Sequence, residues 1–354
     1  MNKEKAIVLT NGMLDGVLAK TAHGLLRGTD RFHVLAVIDY KCAGRDAGEV
    51  LDGKHRNIPV YASVEDYFAQ GGEQPIWCVI GVALPGGKLP DDFRGELKDA
   101  ILHKCSIVCG LHTFLSEDPE FKRLAEEEGV RLLDVRKPKP RNELHFWSGD
   151  IYKVKKPIVA VLGTDCAIGK RTTCRFIMEM CQQHHIHAEM IYTGQTGWMQ
   201  GYKHGFIFDS TVNDFISGEL EHAIVECARE SNPDVILLEG QSALRNPSGP
   251  AGSEYLLSAN AKGVILHHAP GREFYEGTEE IGFKIFPIES EIELIKMYGS
   301  EVLAVTLNGE HLTLETLKAY RDDLQQKLGI PVVLPLEEGV EGLLPVIKNY
   351  MSRF

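Results

Sequence analysis

The segment VLGTDCAIGKRTT, residues 161–173, decides the fold of the second half of this chain. It follows the apolar run KPIVAVLG at 156–163 and leads into a helical pattern from about 170 to 184. A glycine-rich turn between a strand and a helix points backbone N–H groups at a phosphate, and the helix dipole favours the anion. Gly163 and Gly169 supply the permissive backbone, and Lys170 is long enough to reach phosphate oxygens. The segment therefore predicts a phosphate-binding loop.

The loop departs from the common P-loop pattern at two places. Five residues rather than four separate its glycines, and Arg171 stands where the usual motif has its magnesium-binding hydroxyl. The whole loop is predicted to contact the phosphates: Gly163, Thr164, Asp165, Cys166, Ala167, Ile168, Gly169, Lys170, Arg171, Thr172 and Thr173.

An acidic residue at the end of a neighbouring strand is the second feature that a nucleotide site needs. Glu239 ends the apolar run PDVILLEG at 233–240 and is followed by Gly240. If the ligand is Mg-ATP, the spacing predicts Thr172 and Glu239 as the metal-binding residues. The alternative is that Glu239 is a solvated residue at a strand edge.

Composition narrows the class of protein. The chain has 354 residues, 44% of them hydrophobic, which favours two domains. Its net charge of -12 argues against a nucleic-acid partner. We find no signal-peptide core and no apolar stretch of about 20 residues that would span a membrane. The eight cysteines form no CxxC pair, which indicates reduced, buried thiols. We expect a cytoplasmic homo-oligomer that acts on a small molecule.

Short β-branched runs alternate with amphipathic segments, a pattern typical of βαβ units and mostly parallel sheets. The pattern predicts an α/β protein with a Rossmann-like domain over 1–135, a linker over 136–156 and a P-loop NTPase-like domain over 157–354. The linker is rich in prolines and basic residues, and its Phe146 and Trp147 either dock on a domain or seal the domain interface. The run GFKIFPI, 282–288, is predicted to be a strand.

Polar residues in other loops complete the predicted site. Gln195 and Thr196 lie in the glycine-containing segment YTGQTGWMQGYKHG, 192–205, predicted to be a substrate-binding loop. Arg245 and Arg272 follow other strands and are candidates for clamping a dicarboxylate, because a guanidinium group matches a carboxylate bidentately. His267 is a candidate general base for the removal of a proton from an amine.

Three motifs resemble the dethiobiotin synthetase-like branch of P-loop proteins. They are GTDCAIGK at 163–170, ILLEGQ at 236–241 and VTLNG at 305–309. The resemblance implies that Asn308 lies where this branch contacts an adenine base. The alternative for Asn308-Gly309 is a simple turn.

Nearly the whole chain resembles a family of two-domain P-loop proteins, long without assigned function, some of which are described as D-glutamate N-acetyltransferases. The motifs are TNGMLDG at 10–16, GTDCAIGKRTT at 163–173, YTGQTGWM at 192–199 and EGQSALRNPSG at 239–249. The resemblance implies acetyl-CoA as donor and an acidic amino acid, D-glutamate, as acceptor, and so a role in amino acid metabolism.

Two enzyme activities stay open from the sequence. The first is an N-acyltransferase in which the loop binds the phosphates of acetyl-CoA and Lys170, Glu239 and His267 are the catalytic candidates. Coenzyme A carries a pyrophosphate and a 3′-phosphate, so a phosphate loop does not require ATP. The alternative is an ATP- and magnesium-dependent ligase or kinase of the dethiobiotin synthetase type, and Arg171 counts against it. A non-enzymatic nucleotide switch ranks last.

Overall fold

The computed structural model describes residues 3–354 and divides the chain into two compact units. The first unit contains the chain up to Pro138 together with Gln195–Tyr202. The second contains Lys139–Gly194 and Lys203–Phe354. Each unit is built on one six-stranded parallel sheet with helices between the strands. The predicted α/β class is confirmed.

The first unit alternates strands and helices from its start. Its strands are β1 (Glu4–Leu9), β2 (Phe32–Ile38), β3 (Val60–Tyr61), β4 (Trp77–Ile80), β5 (Ser106–Cys109) and β6 (Leu132–Asp134). Its helices are α1 (Lys20–Arg27), α2 (Ala47–Asp52), α3 (Val64–Ala69), α4 (Phe93–Leu102), α5 (Pro119–Glu128) and, from later in the chain, α7 (Gln195–Gln200).

The strand order of the first sheet is β3-β2-β1-β4-β5-β6, all parallel. This is the order of a doubly wound dinucleotide-binding fold, which confirms the Rossmann-like prediction. Every residue of β4 is buried, as expected for a central strand with helices on both faces.

The second unit restarts the pattern after the first sheet is complete. Its strands are β7 (Ile158–Gly163), β8 (Ala188–Ile191), β9 (Val235–Glu239), β10 (Gly263–His268), β11 (Glu301–Leu307) and β12 (Val332–Val333). Its helices are α6 (Lys170–Gln183), α8 (Asn213–Glu230), α9 (Ser253–Leu256), α10 (Ile288–Met297), α11 (Leu314–Leu328) and α12 (Leu344–Met351).

The second sheet has the order β12-β11-β10-β7-β9-β8, again all parallel. Strand β7 lies between β10 and β9, and Val161 of β7 pairs with Glu239 of β9. The order reverses at β7, so the loops after β7, β9 and β10 meet at the carboxyl edge of the sheet. This edge carries the predicted phosphate loop, Glu239 and His267.

Two sequence predictions about local structure are wrong. The run 282–288 forms no strand and pairs only through one antiparallel bridge between Phe274 and Lys284. Its Phe286 packs instead on the Arg245 guanidinium, 4.1 Å from the ring centroid. The segment 192–205 is not only a loop, because α7 forms inside it and packs in the first unit.

Residues 139–153, here called the strap, are fixed to helix α8 of the second unit. The buried Glu219 accepts hydrogen bonds from Lys139 Nζ and the His145 N–H, each at 2.8 Å. The buried Glu221 accepts the Ser148 and Ile151 N–H groups. Backbone donors that no regular structure satisfies are thus bound by two carboxylates, which is how an irregular segment is held in one conformation.

We expect Gly218→Ala and Gly95→Ala to change stability in opposite directions. Both glycines lie inside helices, but a Cβ at Gly218 of α8 would be 2.0 Å from the backbone oxygen of His145 in the strap, whereas a Cβ at Gly95 of α4 would meet nothing within 4 Å. Gly218→Ala is expected to destabilise by about 1–3 kcal/mol through overpacking. Gly95→Ala is expected to stabilise by about 0.5–1 kcal/mol because alanine is the better helix former. Denaturant unfolding of both variants checks the pair, and equal shifts would contradict it.

Within residues 3–354 the helices are too short or too polar for any of them to cross a membrane. All eight cysteines are free thiols. Seven are buried, and Cys166, in the phosphate loop, is partly exposed.

Candidate phosphate-binding site

The loop between β7 and α6 has a backbone that requires glycine at one position. Gly169 has φ 113°, and a Cβ there would lie 3.2 Å from His267 Nε2. The positive φ strongly favours glycine, and the close ring leaves little room for a Cβ. Ala167, at φ 51°, is the exposed tip of the loop.

Two side chains from neighbouring strands fix the loop by one carbonyl. The Ile168 oxygen accepts hydrogen bonds from His267 Nε2 and from Asn308 Nδ2, each at 2.7 Å. In a trans peptide the N–H points opposite to the carbonyl, so these bonds turn the Gly169 N–H away from His267 and Asn308. The Asn308 oxygen accepts the Glu310 N–H at 2.8 Å, so both ends of this amide are engaged within the protein.

Lys170 begins helix α6 and is buried. Its stem passes over Gly163, with Cδ 2.9 Å from the position a Cβ of Gly163 would take. Its Nζ donates to the backbone oxygens of Asp165, at 2.6 Å, and Ser242, at 2.8 Å. Burial lowers the pKa of Lys170, and the nearby Cys166, Asp165 and Glu239 partly offset that effect. The ammonium group is held by neutral carbonyls, which a phosphate can replace.

Asp165 joins the loop to the two neighbouring loops. Its carboxylate is fully buried and accepts four hydrogen bonds. The donors are the Cys166 N–H at 2.7 Å, Asn246 Nδ2 at 3.1 Å, Arg272 Nη1 at 2.9 Å and the Glu276 N–H at 2.9 Å. Both oxygens of the Asp165 carboxylate therefore accept hydrogen bonds from protein groups. The direct phosphate contact that its place in the loop predicts stays a prediction.

Glu239 ends β9 beside the loop and is 4% exposed. Its Oε2 accepts the Thr193 N–H at 2.9 Å, and the Thr193 hydroxyl donates to the Glu239 backbone oxygen at 2.6 Å. Burial raises the pKa of Glu239, and the positive charge of Arg171 is the strongest influence in the opposite direction.

His267 differs from the near-neutral base that the sequence predicts. It is buried, its Nε2 is bonded to Ile168, and its Nδ1 is bonded to Thr306 Oγ1 and, at 3.3 Å, to Thr173 Oγ1. Burial lowers the pKa of His267 to about 3. A histidine with both nitrogens engaged and so low a pKa positions the loop and is poorly suited to accept a proton at neutral pH.

The two predicted arginine clamps are paired with protein carboxylates. Arg245 Nε donates to the buried Glu291 at 2.7 Å, and its Nη2 donates to Ser290. Arg272 Nε donates to Glu310 at 2.7 Å while its Nη1 holds Asp165. Sequence spacing placed them after strands correctly but gave no sign of these partners, which lie 38 to 107 residues away along the chain.

The remaining predicted residues divide between the units. Thr164 hydrogen bonds to His268 Nδ1 at 2.9 Å beneath the loop, and Thr172 is half-buried on α6. Gln195 and Thr196 are buried in α7 of the first unit, where the Thr196 hydroxyl lies 3.0 Å from that of Thr21. Their role in substrate binding stays a prediction.

Three residues that bear on the loop were missed by sequence reasoning. Ser242, at φ 42°, supplies a carbonyl to Lys170, Asn246 holds Asp165, and Thr306 holds His267. Ser242 and Asn246 lie within the segment EGQSALRNPSG at 239–249 that carries the family resemblance. The sequence therefore identified the motif but did not indicate which contacts these two residues make.

Comparison with known proteins places this geometry in a family. Residues 145–344 match the P-loop domain of DUF1611, a domain of unknown function. The chain belongs to the DUF1611 family. Residues 40–138 of this DUF1611 chain match the Rossmann-like N-terminal domain of the same family. The protein therefore has a Rossmann-like N-terminal and a P-loop C-terminal domain.

Relatives of this DUF1611 chain carry a functional name. A Pseudoalteromonas protein named D-glutamate N-acetyltransferase is 29% identical over 273 residues, covering 75% of this chain and 79% of its own. A protein of the same name from Tritonibacter scottomollicae is 26% identical over 278 residues, covering 76% of this chain and 80% of its own. The crystal structure of a DUF1611 family protein from Anabaena variabilis ATCC 29413 is 28% identical, with a TM-score of 0.88 over 99% of this chain and 100% of that one.

Proposed function

We propose that this protein transfers the acetyl group of acetyl-CoA to the amino group of D-glutamate, with the loop after β7 binding the phosphates of the donor. The observation that supports the phosphate contact is the fixed Ile168 carbonyl, which turns the Gly169 N–H away from His267 and Asn308. The relatives named D-glutamate N-acetyltransferase supply the acceptor.

The residues of the loop fit a phosphate group. The first N–H groups of α6 have no partners within the helix, and the helix dipole adds a favourable field for an anion. Lys170 is positioned to exchange the Asp165 and Ser242 carbonyls for phosphate oxygens. Acetyl-CoA would bring the acetyl thioester at the end of its long pantetheine arm.

The reaction forms a bond between the acceptor nitrogen and the acetyl carbon and breaks the bond between that carbon and sulfur. The amine loses a proton, and the coenzyme A thiolate gains one. Because the pantetheine arm separates the thioester from the phosphates, residues at the loop bind the donor and do not reach the acceptor amine. We therefore assign His267 to positioning the loop, and assign neither His267 nor Glu239 to proton transfer.

The experiment is an acetylation assay on the purified full chain. Free coenzyme A is measured with a thiol reagent and the product by mass spectrometry, with D-glutamate, L-glutamate and D-aspartate as acceptors. We expect release of coenzyme A with D-glutamate. If no acidic amino acid yields it, the proposal fails. The alternative, an ATP- and magnesium-dependent ligase or kinase, rests on the position of Glu239 at the end of β9, and ADP formation with Mg-ATP would favour it.

Lys170→Met is expected to weaken coenzyme A binding by about tenfold to a hundredfold, because a charge-assisted hydrogen bond is worth about 1.5–3 kcal/mol. Methionine keeps the stem that packs on Gly163 and removes the charge. Isothermal titration calorimetry measures the Kd. The control is Lys318→Met on α11, where an exposed lysine pairs with Glu338 at 3.1 Å. Equal Kd values for both variants would show that the loop does not bind the donor.

A further inference from the structure

Arg171 occupies the position that decides whether a phosphate loop uses a metal ion. In magnesium-dependent P-loops, the residue after the lysine supplies a hydroxyl to the ion, and an acid at the end of the neighbouring strand completes the site. Here β9 is that neighbouring strand, and it ends in Glu239. The acid is present, but the hydroxyl is replaced by a guanidinium group, which has no lone pair to offer a metal and stays protonated.

Neither of the two neighbouring threonines supplies the hydroxyl ligand that Arg171 lacks. Thr172 is one residue further along α6, and successive residues of a helix point about 100° apart. The Thr173 hydroxyl is buried and lies 3.3 Å from His267 Nδ1. The Glu239 carboxylate is itself buried and accepts the Thr193 N–H. The residues present do not fit Mg²⁺.

The helix geometry places Arg171 on the side of α6 that faces β9. Arg171 and Cys174 are three residues apart and therefore share one face of the helix. Cys174 is fully buried, and its Sγ lies 3.9 Å from the Leu238 oxygen, one residue before Glu239. Helix α6 returns antiparallel to the strands, so a residue one turn nearer its start lies further along β9. Arg171 therefore lies on the face of α6 that is directed towards the Glu239 end of β9.

Electrostatics agree with that placement. Burial raises the pKa of both Glu239 and the Cys174 thiol. In each case Arg171 acts in the opposite direction. The positive charge of the guanidinium therefore acts on groups at the end of β9. In a nucleotide-hydrolysing P-loop protein, the divalent cation would lie in this region.

We propose that Arg171 takes the place of the divalent cation, so that this loop binds the diphosphate of its ligand without Mg²⁺. The inference rests on the proposed function for the identity of the ligand, coenzyme A, but not for the mode of binding. Arginine forms bidentate hydrogen bonds with phosphate oxygens, and the Arg171 side chain is long enough to reach them from the first turn of α6. Lys170 and Arg171 together supply two cationic groups at the start of α6, in place of the lysine and metal ion of a magnesium-dependent loop.

The test is calorimetric binding of coenzyme A and, separately, of ADP to the full chain, each in EDTA and in excess Mg²⁺. For the wild type we expect the Kd to differ by less than about twofold between the two conditions. Arg171→Thr, which restores the hydroxyl, is expected to weaken binding in EDTA by about tenfold to a hundredfold, the range for charged hydrogen bonds. Mg²⁺ should recover part of that loss in the variant only.

Arg171→Lys keeps a positive charge but loses the two parallel donors of the guanidinium. Its Kd in EDTA is expected to lie between that of the wild type and that of Arg171→Thr. The matched control is Arg229→Thr on α8, an exposed arginine paired with Glu226, which should bind as the wild type does. Thermal unfolding of each variant checks that it is folded.

The outcomes separate this inference from the proposed function. Loss of wild-type binding of both ligands in EDTA, or an Arg171→Thr variant that binds as tightly as the wild type, overturns the metal-free mode. Metal-free binding of ADP without any binding of coenzyme A supports the role of Arg171 and contradicts the acetyltransferase. Binding of coenzyme A that requires Mg²⁺ supports the acetyltransferase and contradicts the proposed role of Arg171.

Discussion

Lowering the pH from 6.5 towards 4 is expected to destabilise the second unit by about 3 kcal/mol for each pH unit, through two buried histidines of β10. Burial lowers the pKa of His267 to about 3 and that of His268 to about 4, from an ordinary value of 6.5. In this range each histidine is protonated when unfolded and neutral when folded. Each therefore contributes about 1.4 kcal/mol per pH unit. The contribution is complete above pH 6.5 and is lost as the pH falls.

Charges around the two rings act in both directions. Lys170 and His268 lower the pKa of His267 further, whereas Glu289 acts to raise that of His268. The neutral state of His267 is also fixed by its bonds, since Nε2 donates to the Ile168 carbonyl while Nδ1 accepts from hydroxyl groups. Protonating Nδ1 would turn an acceptor into a second donor and would loosen the phosphate loop as well as the fold.

The measurement is hydrogen exchange of peptides from β7, β10 and α6 between pH 7 and 4.5, corrected for intrinsic exchange rates. These peptides report on the second unit alone, which matters because the two units need not unfold together. His267→Gln and His268→Gln should each reduce the dependence of stability on pH, whatever they do at pH 7. His311→Gln removes an exposed histidine of the same unit and should leave the dependence of stability on pH unchanged. A slope that none of these variants alters would contradict the prediction.

Asp165→Ala is expected to destabilise the second unit by about 3–5 kcal/mol. The carboxylate pairs with Arg272, whose side chain is only 13% exposed, and removal of one partner from a buried ion pair leaves the other charge uncompensated. Three further donors lose their acceptor: the Cys166 and Glu276 N–H groups and Asn246 Nδ2. Glu310 still pairs with Arg272, which holds the loss below that of an isolated buried charge.

Denaturant unfolding of Asp165→Ala, Asp165→Asn and Asp150→Ala measures this effect. Asparagine keeps the shape of the side chain and one acceptor oxygen. Asp165→Asn should therefore lower the free energy of unfolding by less than Asp165→Ala does. Asp150 is the control, because it is exposed and pairs with Lys153 three residues away in the same unit. Exposed pairs of this kind are worth about 0–1 kcal/mol. If Asp165→Ala loses no more stability than Asp150→Ala, Asp165 does not join the three loops.

Local patterns in the sequence were enough to predict much of the fold. The run 156–163 and the helical period after Lys170 predicted β7 and α6 because strand and helix periodicity is written in consecutive residues. The end of strand β9 at Glu239 was predicted in the same way, whereas the pairing of β9 with β7 is decided by the sheet. The run 282–288 shows the limit of this reasoning. Its alternation of apolar residues is that of a strand, but a strand needs a partner, and Pro287 leads directly into helix α10.

What the sequence by itself determined is the order of strands and helices, the two α/β units and the loop that turns from β7 into α6. Each depends on residues that are neighbours along the chain. What only the tertiary structure decided is what the polar residues around that loop do. Asn308 and His267 hold one carbonyl, and Arg272 pairs with Asp165, because parallel strands bring together side chains about 100 to 140 residues apart. Hydrogen bonds and ion pairs depend on distances in space, which no spacing along a single sequence specifies.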